Sequence, residues 1–213
     1  MHSTRFPFRL DVLSRTSRLS IGLFGGSFNP PHDGHRHVSL EAKKRLGLKQ
    51  MVWLVSPQNP LKDTAQTAPL AKRLAACQHL LASDGGHHAS SIETRLGTRY
   101  TIATLRALKR RWPMARFVWV MGSDNLASFH RWQGWRQIAK LFPIAVLERP
   151  PLPLQTLRMR AAQTLYPHRL SASRAHALTQ ATVPSWVLLA IRRHPASSTE
   201  ARKTIGGGSH LGL

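Results

Sequence analysis

Short apolar runs alternate with helix-spaced apolar positions over most of the chain. LSIGLF at 19–24 is an unbroken apolar run ended by Gly25-Gly26 and reads as a buried strand. Residues 34–46 read as a helix closed by Gly47. MVWLV at 51–55 predicts a second strand, stopped by the loop from Pro57 to Pro60. Within 69–82, Leu70, Leu74, Cys77 and Leu81 recur at helical spacing, which makes Cys77 a core residue rather than a nucleophile. SSIET at 90–94 reads as a strand and 101–111 as a helix. RFVWVMG at 116–122 and PIAVLER at 143–149 are two more strands, with a helical segment between them. The link Pro150-Pro151-Leu152-Pro153 leads into a helix near 154–165; Trp186 to Ile191 supply a last strand, and Ser197 begins a last helix. Strands alternating with helices predict a single α/β domain, a doubly wound parallel sheet over 19–205.

Outside that domain, 1–18 is rich in Arg and Ser and reads as a basic flexible tail, although its composition also resembles a transit peptide. The glycine run Gly206-Gly207-Gly208 makes 206–213 a flexible C-terminal tail. His87-His88, following Gly85-Gly86, reads as an exposed loop.

Composition narrows the function classes. With 213 residues and 42% hydrophobic content the chain can bury a sizeable core. No apolar run approaches the roughly 18 residues that span a bilayer, so no membrane partner is expected. A single cysteine excludes an internal disulfide and a multi-cysteine zinc site, and it suits a reducing, cytoplasmic setting. The formal net charge of +22 attracts polyanions. The basic residues are nevertheless spread along the chain, and the densest run, Lys109-Arg110-Arg111, ends a predicted helix, where cations suit the dipole. No specific nucleic-acid partner is expected, and an oligomer is compatible with the sequence.

Candidate chemistry begins where the first strand ends, at Gly25-Gly26-Ser27-Phe28-Asn29-Pro30-Pro31-His32-Asp33-Gly34-His35. Two glycines after a strand let the backbone approach a ligand closely, and a helix N-terminus follows. In an open α/β sheet this edge is where nucleotides bind. The stretch is neither a Walker loop nor a dinucleotide fingerprint. It carries instead two histidines three residues apart, a spacing that aims His32 and His35 at one point beside the positive end of the helix dipole. A zinc site is the rival reading, but no cysteine partner or clear third ligand stands nearby, so no protein-held metal is expected.

This loop resembles the (H/T)-x-G-H loop of the nucleotidylyltransferases, and GGSFNP with a first histidine is similar to the nicotinate-nucleotide adenylyltransferases. Three further segments match in order. Glu93-Thr94-Arg95 and Gly97-Thr98-Arg99-Tyr100-Thr101 resemble the family's segment ending in (S/T)-x-T, whose turn recognises the nicotinate carboxylate; Thr101 is expected to cap the helix 101–111. Met121-Gly122-Ser123-Asp124-Asn125 followed by Trp132 resembles the (I/M)-G-x-D loop and the aromatic that stacks on the pyridine ring. Trp132, rather than Trp135, has the family's spacing from Asp124. Ser197-Ser198-Thr199-Glu200-Ala201-Arg202 resembles the I-S-S-T-x-(I/V)-R phosphate motif, with Ala196 and Ala201 in place of branched apolar residues. Lys62 stands where the family has a basic residue in its Pro-x-(H)-(K/R) loop, with Leu61 in place of histidine.

The resemblance implies a Rossmann-like fold and transfer of AMP from ATP, as its Mg²⁺ complex, to nicotinate mononucleotide. His32 and His35 would be catalytic. They would bind ATP together with Gly25, Gly26, Ser27, Phe28, Ser198, Thr199 and Arg202. Lys62, Tyr100, Thr101, Gly122, Asp124 and Trp132 would bind the mononucleotide. The alternatives are the same transfer to nicotinamide mononucleotide or phosphopantetheine, and a basic nucleic-acid-binding protein built on an inactive nucleotide fold.

Overall fold

The computed structural model describes residues 16–57, 67–148 and 153–192. The tails before residue 16 and over 206–213, and the helix expected from Ser197, lie outside the described residues. Among the described residues seven strands form one sheet in the order β3-β2-β1-β4-β5-β7-β6, and each of its pairings is parallel. In chain order the strands are β1 (Ser20–Gly26), β2 (Gln50–Val55), β3 (His87–Ser90), β4 (Arg116–Gly122), β5 (Ile144–Glu148), β6 (Arg169–Leu170) and β7 (Trp186–Ala190). The winding reverses between β1 and β4, as the doubly wound reading requires.

Alternation along the strands builds two cores. Phe117, Trp119 and Met121 of β4 pack on one side with Leu23 of β1, and Val118 and Val120 pack on the other with Phe24. The first side is covered by α4 (Thr101–Arg111), α5 (Ser123–Phe129), α6 (Trp135–Leu141) and α8 (Arg160–Leu165), through residues such as Leu105, Phe129, Ile138 and Ala161. The second is covered by α1 (Asp33–Leu46) and α2 (Leu70–Leu80), with Val38, Ala42 and Cys77 facing the sheet. Cys77 is buried, and that burial pushes its thiol up to about 12, so it stays a neutral core residue.

Three local expectations are corrected, and two short elements were not expected. The strand expected at 90–94 lies at His87–Ser90, and 92–95 forms a short helix, α3 (Ile92–Arg95). Pairing decides this: Met51 and Val52 stand opposite His87 and His88, which outweighs the β propensity of Ile92 and Thr94. His87-His88 is therefore an edge strand rather than an exposed loop, with His87 buried and His88 bonded through Nε2 to Gln50 Oε1 at 2.9 Å. The helix expected over 154–165 breaks at Met159, whose backbone is extended. Its two halves, α7 (Pro153–Arg158) and α8, then turn Thr156 and Ala161 inward separately. Finally, β6 and a 3-10 stretch over Ala172–Gln180 have no apolar periodicity to announce them, although Ala175 and Leu178 are buried against the sheet.

Candidate active site

The crevice outside β1 and β4 collects most of the described candidates. Gly25, the last residue but one of β1, lies against the ring of Trp119 in β4. A Cβ there would drive into that ring, so the seat of the Trp119 indole over β1 requires glycine. The chain then turns through Phe28, whose φ of 46° is uncommon for a bulky residue. What holds it is its ring, buried and stacked on Trp53 at 4.6 Å and edge-on to Phe24 at 5.5 Å.

His32 occupies the N-cap position of α1 with extended backbone, φ −152° and ψ 166°. Its carbonyl accepts the N–H of His35 at 2.9 Å and of Arg36 at 3.3 Å, which starts the helix. One turn of helix brings the imidazoles together, with ring centroids 3.8 Å apart. His35 also packs edge-to-face on Phe28 at 5.2 Å. Two imidazoles are thereby fixed side by side at a helix N-terminus, next to the loop formed by Gly25, Gly26, Ser27 and Phe28. Such a place favours anionic oxygens.

Across the crevice, Gly122 is the N-cap of α5 and Asp124 lies in that helix's first turn. A Cβ on Gly122 would collide with the Asp124 carboxylate, so the two residues are linked sterically. Trp132 is half-buried. It meets Trp119 edge-on at 6.3 Å and Phe129 at 5.4 Å, and its Nε1–H donates to Ser128 Oγ at 3.4 Å. Trp135 is buried in the core, with the Arg136 guanidinium over its ring at 4.6 Å.

The turn before α4 differs from expectation. Tyr100, not Thr101, holds the N-cap position, and no side chain caps this end; Thr101 is the first helical residue. The threonines that act here are Thr98 and Thr104. Their hydroxyls bond to each other at 2.8 Å, and Thr104 Oγ1 also donates to Glu93 Oε1 at 3.2 Å. The Thr98 N–H donates to the Glu93 carbonyl at 3.0 Å. Burial pushes the Glu93 carboxyl up to about 7, against the opposing effect of the Thr104 hydrogen bond. Tyr100 is exposed, with the Arg99 guanidinium 5.8 Å from its ring centre. Ile102, next in α4, lies where a Cβ on Gly134 would meet it at 3.3 Å, so this turn sits beside the Trp132–Trp135 loop.

Lys62, Ser198, Thr199 and Arg202 lie outside the described residues. Sequence reasoning missed Arg73. It is 2% exposed on α2, and its guanidinium donates to four carbonyls: Ala68 at 2.7 Å, Ser27 at 2.6 Å, Ser56 at 2.8 Å and Pro57 at 2.9 Å. The signal available was an arginine three residues after Leu70 and four before Cys77, on the apolar face of its helix. Among the described residues no group of three His, Cys, Asp or Glu gathers to hold a metal, and no helix is long and apolar enough to cross a membrane.

Comparison with known proteins identifies the family. The model of the cytidylyltransferase-like family matches residues 23–204. The protein named "Probable nicotinate-nucleotide adenylyltransferase" from Caulobacter sp. (strain K31) is 50% identical over 184 residues, covering 86% of this chain and 97% of that protein. Its namesake from Ruegeria sp. (strain TM1040) is 45% identical over 185 residues, covering 87% and 97%. Among solved structures, Plasmodium falciparum nicotinic acid mononucleotide adenylyltransferase complexed with NaAD superposes with a TM-score of 0.65 at 16% identity, over 87% of this chain and 83% of that one. Its complex with APC gives 0.63. At that identity the structural likeness speaks to the fold.

Proposed function

We propose, from the premise that the chain belongs to the cytidylyltransferase-like family and within it to the nicotinate-nucleotide adenylyltransferases, that it moves AMP from ATP to nicotinate mononucleotide. A phosphate oxygen of the mononucleotide attacks the α-phosphorus of ATP. A new P–O bond forms there, the bond to the β-phosphate oxygen breaks, and pyrophosphate leaves with the electron pair. The attacking oxygen is already anionic near neutral pH, so the step needs no general base. Its obstacle is charge, because one phosphate must approach another while negative charge grows on the leaving group. Fixed donors and positioning supply the rate in such a step.

The observation that carries this reading is the pair His32 and His35, ring centroids 3.8 Å apart at the start of α1 and beside the Gly25–Phe28 loop. In the proposed roles both imidazoles hold oxygens around the α-phosphate. Gly25, Gly26, Ser27 and Phe28 line the ATP side, joined by Ser198, Thr199 and Arg202 at the β- and γ-phosphates. The mononucleotide lies against Gly122, Asp124 and Trp132, with the Tyr100–Thr101 turn at its carboxylate and Lys62 at its phosphate side. Mg²⁺ enters with ATP and neutralises its phosphate oxygens. The setting is the cytoplasm, and the partners are these small molecules.

The test is pyrophosphate release from MgATP with nicotinate mononucleotide, with nicotinamide mononucleotide and phosphopantetheine in parallel. Rapid release with the nicotinate form, and slower or none with the other two, is the expected result. Preference for another acceptor would reassign the substrate, and release with none would overturn the reading.

A further inference from the structure

Arg73 is the most deeply buried charged residue among the described ones, and the proposed reaction leaves it unused. Its guanidinium is 2% exposed and is held by four backbone carbonyls, with no carboxylate among the described residues paired to it. Desolvation lowers its basicity, the expected consequence of burying a cation without an anion. An apolar side chain of similar length would fill the same space without that penalty. What only a planar, forked donor can do here is tie together three points of chain: Ser27 in the loop after β1, Ser56 and Pro57 after β2, and Ala68 before α2. The loop after β1 is tied to Ala68 a second time, since the Ala68 N–H donates to Asn29 Oδ1 at 3.2 Å.

We propose that Arg73 is a positioning residue for the transfer step, fixing the Ser27–Phe28 peptide so that the Phe28 N–H is presented to the reacting phosphates. In a planar trans peptide the carbonyl and the N–H point in opposite directions. Drawing the Ser27 carbonyl onto Arg73 at 2.6 Å therefore turns the Phe28 N–H away from α2. Phe28 accepts the left-handed backbone this requires, φ 46°, and its ring is the surface on which His35 packs at 5.2 Å. One buried arginine thus sets both a backbone donor and, through Phe28, the seat of a proposed catalytic histidine. The inference rests on ATP binding at this loop, as proposed above.

The experiment uses the full chain. Arg73→Lys and Arg73→Met are compared with wild type by thermal unfolding, then by kcat and KM for each substrate. Losing one preorganised donor costs roughly 100-fold or more in other enzymes, and a loosened donor should cost about 10- to 100-fold in kcat. The KM for nicotinate mononucleotide should change less than kcat, because most of the acceptor's proposed contacts, Gly122, Asp124, Trp132 and the Tyr100–Thr101 turn, lie on segments that Arg73 does not tie. The buried lysine of Arg73→Lys titrates below its ordinary range, so this variant should lose kcat with rising pH where wild type is flat. A folded Arg73→Met with kcat within about threefold of wild type overturns the proposal. Wild-type protein gives a second reading that no folding defect can obscure. In a spectrum of ¹⁵N-phenylalanine protein, with seven amides and Phe28 assigned through Phe28→Tyr, Mg²⁺ with a non-hydrolysable ATP analogue should move the Phe28 amide downfield. An unmoved Phe28 amide, while other resonances report binding, overturns the role of Arg73 and leaves the reaction standing. Absence of pyrophosphate release by wild type is the separate result that removes the reaction itself.

Discussion

Replacing Glu93 by glutamine should remove a specific pH dependence of stability. Glu93 Oε1 accepts from Thr104, and glutamine keeps that acceptor while losing the ionisation. In the folded chain the carboxyl holds its proton up to about 7, against an ordinary value of 4.5. Between those two values the folded state binds more protons than the unfolded state, so the Glu93 contribution to stability falls as pH rises through the window and is flat above it. Each pH unit of that gap is worth about 1.4 kcal/mol, which sets a ceiling of about 3 kcal/mol. Glu93 keeps some contact with solvent, and screening brings the expectation to about 1.5 kcal/mol. His87 and His88 act in the opposite sense: burial lowers both, His88 to about 4, so their contribution is lost as pH falls from 6.5. The assay is therefore a difference: urea unfolding of wild type and Glu93→Gln at pH 4.5, 6, 7 and 8, in which the histidine contributions cancel. Glu93→Gln should gain on wild type by about 1.5 kcal/mol between pH 4.5 and 8, irrespective of any constant offset. Parallel stability curves would refute the reasoning and mean that the carboxyl titrates alike in the folded and unfolded chain.

Three further outcomes are expected. His35→Ala should lower kcat by about 100-fold or more in the pyrophosphate assay, the scale of losing one fixed charge stabiliser, and near-normal turnover would remove the histidine from the mechanism. Trp132→Ala should chiefly raise KM for the mononucleotide, because the half-buried indole loses its stacking face; an unchanged KM would place the pyridine ring elsewhere. Gly25→Ala should destabilise the chain by about 1–3 kcal/mol in urea unfolding, since the added methyl meets the Trp119 ring, and wild-type stability would show that the ring can shift aside at this point.

Much of the architecture could be read along the chain. Strand β4 falls at 116–122 as its apolar run predicts, and α1 ends at Leu46 before Gly47. The histidine pair was equally readable, because three-residue spacing on a helix is a local geometric fact that the fold only has to respect. The failures are equally particular. Thr101 has the composition of a cap, yet the turn is organised by Thr98, Thr104 and Glu93, which meet only because α4 folds back over α3. The strand at 87–90 was hidden because its edge position depends on pairing with β2 across an intervening helix.

The sequence alone therefore determined the alternation of strands and helices and the loop that carries His32 and His35. Both follow from interactions between near neighbours. Only the tertiary structure decided the register of β3, the environment of Glu93 and the partners of Arg73. Burial of a charge depends on what other segments cover it. The oxygens that receive the Arg73 guanidinium are backbone carbonyls, which every residue carries and no residue type announces.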